Sequence, residues 1–562
     1  MKVACCNCNA WLIPINQAMM KKLFLFLLLC TFVLTFTACC TKERKMQPRL
    51  IVGIVVDQMR YDYLYRYYDQ YGQNGFKRLL NEGMNFTYAQ YNYIPTYTGP
   101  GHASIYTGTT PYYHGIISND WYDVGQKKTV YCARDTNYRT VGATGNAGRM
   151  SPENLLSSTM TDQLRLSDNG HSKVFAISLK DRAAVLPGGH MSNAAYWYDG
   201  KSGNFITSTY YCKELPAWVK RFNEQKLPDR LMGSGWNLEQ GRNYESSFPD
   251  NGPGEEDIFR EGKTTFPHLF TRLSDTLKRE LIRSTPFGNE LLAGFFTELL
   301  KNEKPGQSDY CDFLSISFSS TDYVGHAYGP NSVEVMDTYL KLDRQIERIL
   351  DTLDRLAGKG NYLLFLTADH GVKPNSSYLE ANRIHAGRER TKGMKEQLND
   401  YGKSHFGTSR IIEAIQDNQI YLNHTVLDSM KQSVGDVDNK LISFMRRAFP
   451  FIGIILTREE LIAKPPERSM NAFILNGFNI RRSGDLLFEM NQNYLVSGSG
   501  EKGTTHESSY DYDTHIPMIF FGWHVKPGES NQEVYVEDIA PTITNLVHIQ
   551  EPDATIGIPI IH

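Results

Sequence analysis

Three apolar runs in this chain each end in side chains able to bind a metal ion. Leu50 to Val56 is followed by Asp57, Phe313 to Phe318 leads to Asp322 and His326, and Tyr362 to Thr367 leads to Asp369 and His370. Carboxylate oxygen and neutral imidazole nitrogen are the usual ligand set of zinc in a site without thiolates. Asp322 and His326 are four residues apart, so a helix would carry both on one face. Asp369-His370 offers two ligands just past a strand, and His506, in Gly503-Thr504-Thr505-His506, offers a sixth. A lone aspartate at a strand end is more often a turn or a cap, and a lone histidine more often a hydrogen-bonded surface residue. Their coincidence at three strand ends is what points to one shared site.

A nucleophile candidate lies in Pro95-Thr96-Tyr97-Thr98-Gly99-Pro100-Gly101-His102. Gly99 and Pro100 suit the start of a helix, where proline is tolerated. A Thr98 hydroxyl there meets the positive end of the helix dipole, which favours an alkoxide or a bound phosphate. The plain alternative is that Thr98 only caps the helix.

The elements that must position these groups are legible as pattern. Leu50 to Val56 (LIVGIVV) is apolar without alternation, as in a strand buried on both faces. Similar runs recur at Val174 to Leu179, Phe313 to Phe318, Tyr362 to Thr367 and Ile516 to Phe521, and helical spacing recurs at Glu290 to Leu300, Val333 to Leu356 and Val536 to Leu546. Alternating strands and helices predict an α/β sheet covered on both faces, with ligands beyond the carboxyl ends of the strands. Two irregular segments, at about 187–286 and 373–499, read as insertions above that edge. Gly498-Ser499-Gly500-Glu501-Lys502-Gly503 matches a GxGxxG pattern, but no helix pattern follows, so it reads as a loop carrying His506 rather than a dinucleotide site.

Composition excludes several classes. Of 562 residues, 41% are hydrophobic and 22% charged, an ordinary globular balance. Basic and acidic residues number 59 and 62, which gives no footprint for nucleic acid. At the N-terminus, Lys21 and Lys22 precede the apolar run Leu23 to Phe36, followed by Thr37-Ala38-Cys39. This is the layout of an export signal at residues 1–40, with the catalytic chain expected over 48–562. The Thr-Ala-Cys ending resembles a bacterial lipoprotein box, which would put a lipid anchor on Cys39, although Phe36 stands where that pattern usually has Leu. Export implies a periplasmic or outer-membrane-associated protein. Beyond the signal only Cys40, Cys132, Cys212 and Cys311 remain, too few for a disulfide scaffold.

Taken together, IVVDQMR, YIPTYTGPGHASIYTGTTP, GIISNDWYD, SLKDR, STDYVGHAYGP, LTADHG and GTTHESSYDYDTHIPMIFFG resemble the alkaline phosphatase superfamily. Within it, the chain is similar to the zinc-dependent, PafA-like bacterial alkaline phosphatases, near the nucleotide pyrophosphatase/phosphodiesterase branch. The resemblance runs in the family's order from Leu50 to the C-terminus. It implies an α/β fold with a central, mostly parallel sheet flanked by helices, and two Zn2+ ions. Asp57, Asp369, His370 and the Thr98 oxygen would bind one ion, and Asp322, His326 and His506 the other. Asn119 would donate to a nonbridging phosphate oxygen. His506 is followed by Glu507 where relatives usually have Gly, a departure in that loop.

The implied reaction is hydrolysis of a phosphate monoester through a covalent phosphothreonine on Thr98, releasing inorganic phosphate. A monoester carries a nonbridging charge that a diester lacks, and Lys180 and Arg182, at the carboxyl edge of the 174–179 run, suit that dianion. The alternatives are a phosphodiesterase or nucleotide pyrophosphatase on the same bimetal site and, more remotely, a non-catalytic exported phosphate-binding lipoprotein. The expected partners are small phosphate monoesters and no nucleic acid, and the expected state is a monomer.

Overall fold

The computed structural model describes residues 47–561 apart from 234, 390 and 497–501. The export signal, Cys39 and most of the GxGxxG loop therefore lie outside the described residues. Residues 48–562 form one compact unit.

Ten strands form the central sheet. In chain order they are β1 (Leu50–Val56), β2 (Met84–Gln90), β3 (Thr140–Val141), β4 (Val174–Ser178), β5 (Ala194–Asp199), β6 (Asn204–Ser208), β7 (Asp312–Phe318), β8 (Tyr362–Thr367), β9 (His515–Gly522) and β10 (Gly528–Tyr535). Across the sheet they are ordered β10-β2-β9-β8-β1-β7-β4-β5-β6-β3. The middle five, β8 to β5, are mutually parallel, and the flanks are reached through antiparallel pairs. Every residue of β1, β4, β7 and β8 is buried, as strands covered on both faces require.

Register brings the chemistry together. On β1, Leu50 lies opposite Tyr362 on one side and Asp312 on the other, and Ser178 of β4 lies opposite Ser317 of β7. The four strands thus end level with one another, and Asp57, Lys180, Asp322 and Asp369 follow at the same edge. The 516–521 run extends to His515–Gly522 and is antiparallel to β8, a direction that an unalternating apolar run does not encode. Its entry end, with the preceding 502–514 loop, therefore lies at that edge too.

The helices that serve the site are α1 (Thr98–Thr107), α2 (Arg182–Gly188), α3 (Pro286–Glu303), α4 (Ser320–Tyr328), α5 (Val333–Leu353) and α6 (Ile539–Leu546). All of α1 is buried. It sits directly on the strand-end backbone because Gly101 has no side chain: a Cβ there would lie 2.3 Å from the Asp369 carbonyl oxygen.

Segment 187–286 does not stand wholly outside the sheet, since β5 and β6 inside it extend the central sheet through β4. Their sequences, AAYWYD and NFITS, are set in Gly- and Asn-rich surroundings that mask the pattern. Segment 373–499 holds a separate four-stranded antiparallel sheet, Ile412–Gln416, Gln419–Leu422, Leu486–Met490 and Ile452–Thr457 in spatial order. Leu398, Leu422, Leu441, Met445 and Phe488 are part of its own apolar core.

Candidate active site

Thr98 is the first residue of α1 and is 1% exposed. Its Oγ1 lies 3.4 Å from His370 Nε2 and 3.4 Å from Lys180 Nζ. Asp57 follows β1 directly. Its Oδ1 accepts from Ser317 Oγ at 2.6 Å, and Lys180 Nζ stands 3.0 Å from its Oδ2. Asp369 accepts the Gln58 amide on Oδ1 at 3.0 Å, while its Oδ2 has no hydrogen-bond donor. An uncompensated buried carboxylate oxygen costs several kcal/mol, so a cation is expected opposite it.

Two groups of ligand-type atoms converge here. Asp322 and His326, both on α4, bring Oδ1 and Nε2 to 3.1 Å, and His506 Nε2 is 3.6 Å from the same oxygen. On the other side, His370 Nε2 is 3.2 Å from Asp369 Oδ2. Ligand atoms about 2.0–2.1 Å from a tetrahedral ion lie roughly 3.3 Å apart, which is the spacing of these pairs. The imidazoles are also presented correctly. Nδ1 of His326, His370 and His506 donates to the carbonyls of Thr504, Gly371 and Thr96, at 2.8, 2.9 and 2.5 Å. Nε2 of each is then left to bind, the arrangement that orients metal-ligating histidines. A lone pair on Nε2 facing a carboxylate oxygen needs a cation or a proton between them, and Asp322 accordingly holds His326 above the usual imidazole range although burial opposes it.

Electrostatics agree. Burial pushes His370 down to about 4 and His506 down to about 3, so both are neutral ligands at pH 7. Burial and the neighbouring Asp57 charge push Asp369 up to about 7. Burial would raise Asp57 as well, but Lys180 and then His102 outweigh it and hold its carboxyl low. Burial opposes the charge on Asp322 too, yet His326 and Lys180 hold it far below the usual range. Three buried carboxylates thus share one ammonium, whose Nζ is 2.6 Å from Asp322 Oδ2. The donor set fits divalent cations, one beside Asp57, Asp369, His370 and Thr98 and one beside Asp322, His326 and His506.

His102 also lies near Asp57 and Asp369, close enough for the three to be grouped as ligands. Both of its nitrogens are already engaged, by Thr98 O at 2.9 Å and Ser317 Oγ at 3.0 Å, and its nearest carboxylate oxygens are at 3.7 and 3.8 Å. It stands behind the ligands and braces them, whereas His370 faces them.

The other expected residues take different places. Asn119 Oδ1 accepts the Gly99 amide at 2.8 Å, which holds Asn119 beside Thr98. Arg182 is not in contact with Thr98. It lines a cavity of about 290 Å3 shared with Lys180, its Nη1 donating to Tyr131 OH at 3.2 Å. A larger groove of about 870 Å3, around Arg139, Lys213 and Arg279, shares no residue with the site.

The structure adds residues that the sequence did not single out. Gln58, at φ 64°, joins the two groups: its amide reaches Asp369, and its Nε2 donates to Asp322 Oδ1 at 2.8 Å. That left-handed conformation costs about 1–2 kcal/mol, and such strain gathers at functional sites. Glu507, the departure noted after His506, is buried between Tyr97 OH at 3.0 Å and Lys373 Nζ at 3.2 Å. Tyr97 in turn packs edge-on against the His506 ring, centroids 5.4 Å apart. The only sequence signal for His102 was its place one helical turn after Thr98.

Comparison with known proteins gives the chain its family. The family model "Type I phosphodiesterase / nucleotide pyrophosphatase" matches residues 51–515. Alkaline phosphatase PafA of Elizabethkingia meningoseptica is 43% identical, over 92% of this chain and 94% of its own length. Its crystal structure superposes with a TM-score of 0.87, covering 92% of this chain and 98% of that one. Alkaline phosphatase PhoV of Synechococcus elongatus is 42% identical over 91% of this chain and 92% of its own. A Myroides odoratus protein named as a calcium-transporting ATPase is 42% identical over 93% and 96%. Among the described residues here, no helix is long and apolar enough to cross a membrane.

Proposed function

From the premise that the chain belongs to the type I phosphodiesterase / nucleotide pyrophosphatase family, within the alkaline phosphatase superfamily, we propose a phosphatase working through Thr98. The protein is an alkaline phosphatase that hydrolyses phosphate monoesters. Its nucleophile is the Thr98 hydroxyl, and the observation that carries this is the hydroxyl's position at the start of a buried helix, 3.4 Å from both His370 Nε2 and Lys180 Nζ.

Asp57, Asp369, His370 and Thr98 would hold one zinc ion, and Asp322, His326 and His506 a second. Such ions, when bound, favour the threonine alkoxide and stabilise charge on the leaving and nonbridging oxygens. The chain's own groups do the rest. The α1 dipole and the Lys180 ammonium lower the energy of the deprotonated Thr98 oxygen. The hydroxyl proton passes to solvent, the Thr98 oxygen bonds to phosphorus as the bond to the leaving alcohol oxygen breaks, and the leaving oxygen takes a proton from solvent. Asn119 Nδ2, Lys180 and Arg182 hold the nonbridging oxygens. Water then attacks the phosphothreonine, restoring Thr98 and releasing inorganic phosphate. His102 fixes the Thr98 carbonyl, and Ser317 fixes Asp57, so nucleophile and ligand move together.

Lys180 and Arg182 select the dianion, since an extra cationic donor stabilises a monoester more than a diester. An export signal at residues 1–40 would put the enzyme outside the cytoplasm, with a lipid carried on Cys39. The test is the ratio of kcat/KM for an aryl phosphate monoester to that for the matching diester, on zinc-loaded protein. A strong monoester preference that collapses in Lys180→Ala/Arg182→Ala supports the assignment. A diester preference in the unmutated enzyme makes it a phosphodiesterase on the same ligands.

A further inference from the structure

The cavity beside Lys180 has more cationic donors than the phosphoryl group needs. Besides Lys180 and Arg182, Lys201, Arg283 and Tyr323 line its volume of about 290 Å3. The Tyr323 ring is shared between two cations, with Lys180 Nζ 5.1 Å and the Arg283 guanidinium carbon 5.2 Å from its centroid. Arg283 Nη1 also donates to Tyr323 OH at 3.4 Å.

Most acceptors in the lining are already used. Asp181 Oδ1 takes the Arg182 amide at 2.6 Å as well as the Tyr131 hydroxyl. Asp199 Oδ2 takes the Ser202 amide at 3.0 Å and its hydroxyl at 2.6 Å, and Tyr198 OH donates to the Arg279 carbonyl. Glu280 is the one carboxylate of the lining without a hydrogen bond among the described residues. The donors are spent only in part, and on uncharged acceptors: Arg182 Nη1 gives to Tyr131 OH, and Arg283 gives Nε to the Glu280 carbonyl at 3.2 Å and Nη1 to Tyr323 OH. The buried Nε of Arg182 has no partner, and none of Arg182, Lys201 and Arg283 has a carboxylate within ion-pair distance among the described residues. The lining thus sets four cations, Lys180, Arg182, Lys201 and Arg283, against the three carboxylates Asp181, Asp199 and Glu280, and neither Lys201 nor Arg283 has an ion-pair partner among the described residues, a surplus that suits an anion.

We propose that this cavity is a subsite for a second anionic group on the alcohol side of the substrate. The Lys180 end faces the phosphoryl group, and Arg283 with Lys201 receives a carboxylate or second phosphate carried by the leaving group. This rests on the phosphatase reading and narrows its substrate class to monoesters of alcohols that are themselves anionic.

The test compares 4-carboxyphenyl phosphate with the uncharged 4-carbamoylphenyl phosphate on the zinc-loaded enzyme at low ionic strength. The expected result is a preference of about tenfold in kcat/KM for the carboxylate, the scale of one charge-assisted hydrogen bond. Arg283→Gln and Lys201→Gln each pull that ratio toward one, and Lys201, being exposed, keeps the test open should the Arg283 variant fail to fold. A wild-type ratio of one or less, or a ratio unmoved by either substitution, overturns the subsite while leaving the phosphatase standing. No turnover of either ester by the wild-type enzyme overturns the phosphatase reading and the subsite with it.

Discussion

Thr98 concentrates the chemistry in one hydroxyl. Its oxygen is held by the first turn of α1, by Lys180 and by His370, so removing it takes away the nucleophile while leaving Asp57, Asp369 and His370 in place. Thr98→Ala is expected to lower kcat/KM on an aryl monoester by about 10^3-fold or more, with metal content by elemental analysis unchanged. Equal loss of metal and activity would mean that the lost activity comes from the lost ion and would remove the case for Thr98 as nucleophile. The residues with a strand-end address were legible in the sequence, because a buried apolar run followed by Asp or His has few bland explanations when it occurs three times. Gln58, His102 and Ser317 were not. Their roles depend on hydrogen bonds such as that between the Gln58 amide and Asp369, 311 positions apart, which no local pattern encodes.

Two strips of backbone, 96–98 and 506–508, are laced together beside the site. His506 Nδ1 donates to Thr96 O, Thr96 Oγ1 donates to Ser508 O at 3.2 Å, and Tyr97 OH donates to Glu507. Asp513 Oδ2 accepts the amides of Glu507 and Ser508, which anchors the loop to the start of β9. Glu507 therefore acts as a lock between the nucleophile's strip and the ligand's loop. Glu507→Ala is expected to raise the metal-dissociation rate of the Asp322/His326/His506 group about 10–100-fold, the cost typical of losing an outer-shell partner. Glu507→Gln, which keeps a Tyr97 acceptor, should restore most of it. A chelator-competition time course reads both, and identical rates in all three proteins would deny Glu507 any role in the loop. At this scale the unalternating runs identified the central strands, but β5 and β6 stayed hidden among glycines and asparagines. The opposite direction of β9 was equally hidden, since burial on both faces says nothing about polarity.

Across the whole molecule, the fold buries several acids that form no ion pair among the described residues. Burial pushes Glu255, Glu489 and Glu537 each up to about 8. Unfolded, these carboxyls ionise near 4.3, so above that pH the native state binds more protons than the unfolded chain and stability falls as pH rises toward 8. The buried histidines work the other way. His114, His370 and His506, held low by burial, add stability as pH rises up to about 6.5, where an unfolded histidine loses its proton. Metal-stripped protein is accordingly expected to lose thermal stability between about pH 6.5 and 8, in a window where the histidine contribution is complete. Differential scanning fluorimetry after chelation checks this, and a melting temperature that rises across that window would contradict it. Zinc should recover more stability at pH 8 than at pH 5, since the metal ligands must be deprotonated to bind. The α/β class and its shared strand-end edge were legible from alternation alone. The second core under 412–490 was not, because its strands are short and two of them, Ile412–Gln416 and Ile452–Thr457, are half-exposed and resemble the turns around them.

The account stands or falls on a covalent phosphothreonine. The decisive measurement is peptide mass spectrometry of the zinc-loaded enzyme, quenched in acid during turnover of an aryl phosphate monoester. One phosphoryl group on the peptide containing Thr98, absent from Thr98→Ala, is the predicted result. Turnover with no phosphorylated peptide, or with the phosphoryl group on another residue, would contradict it.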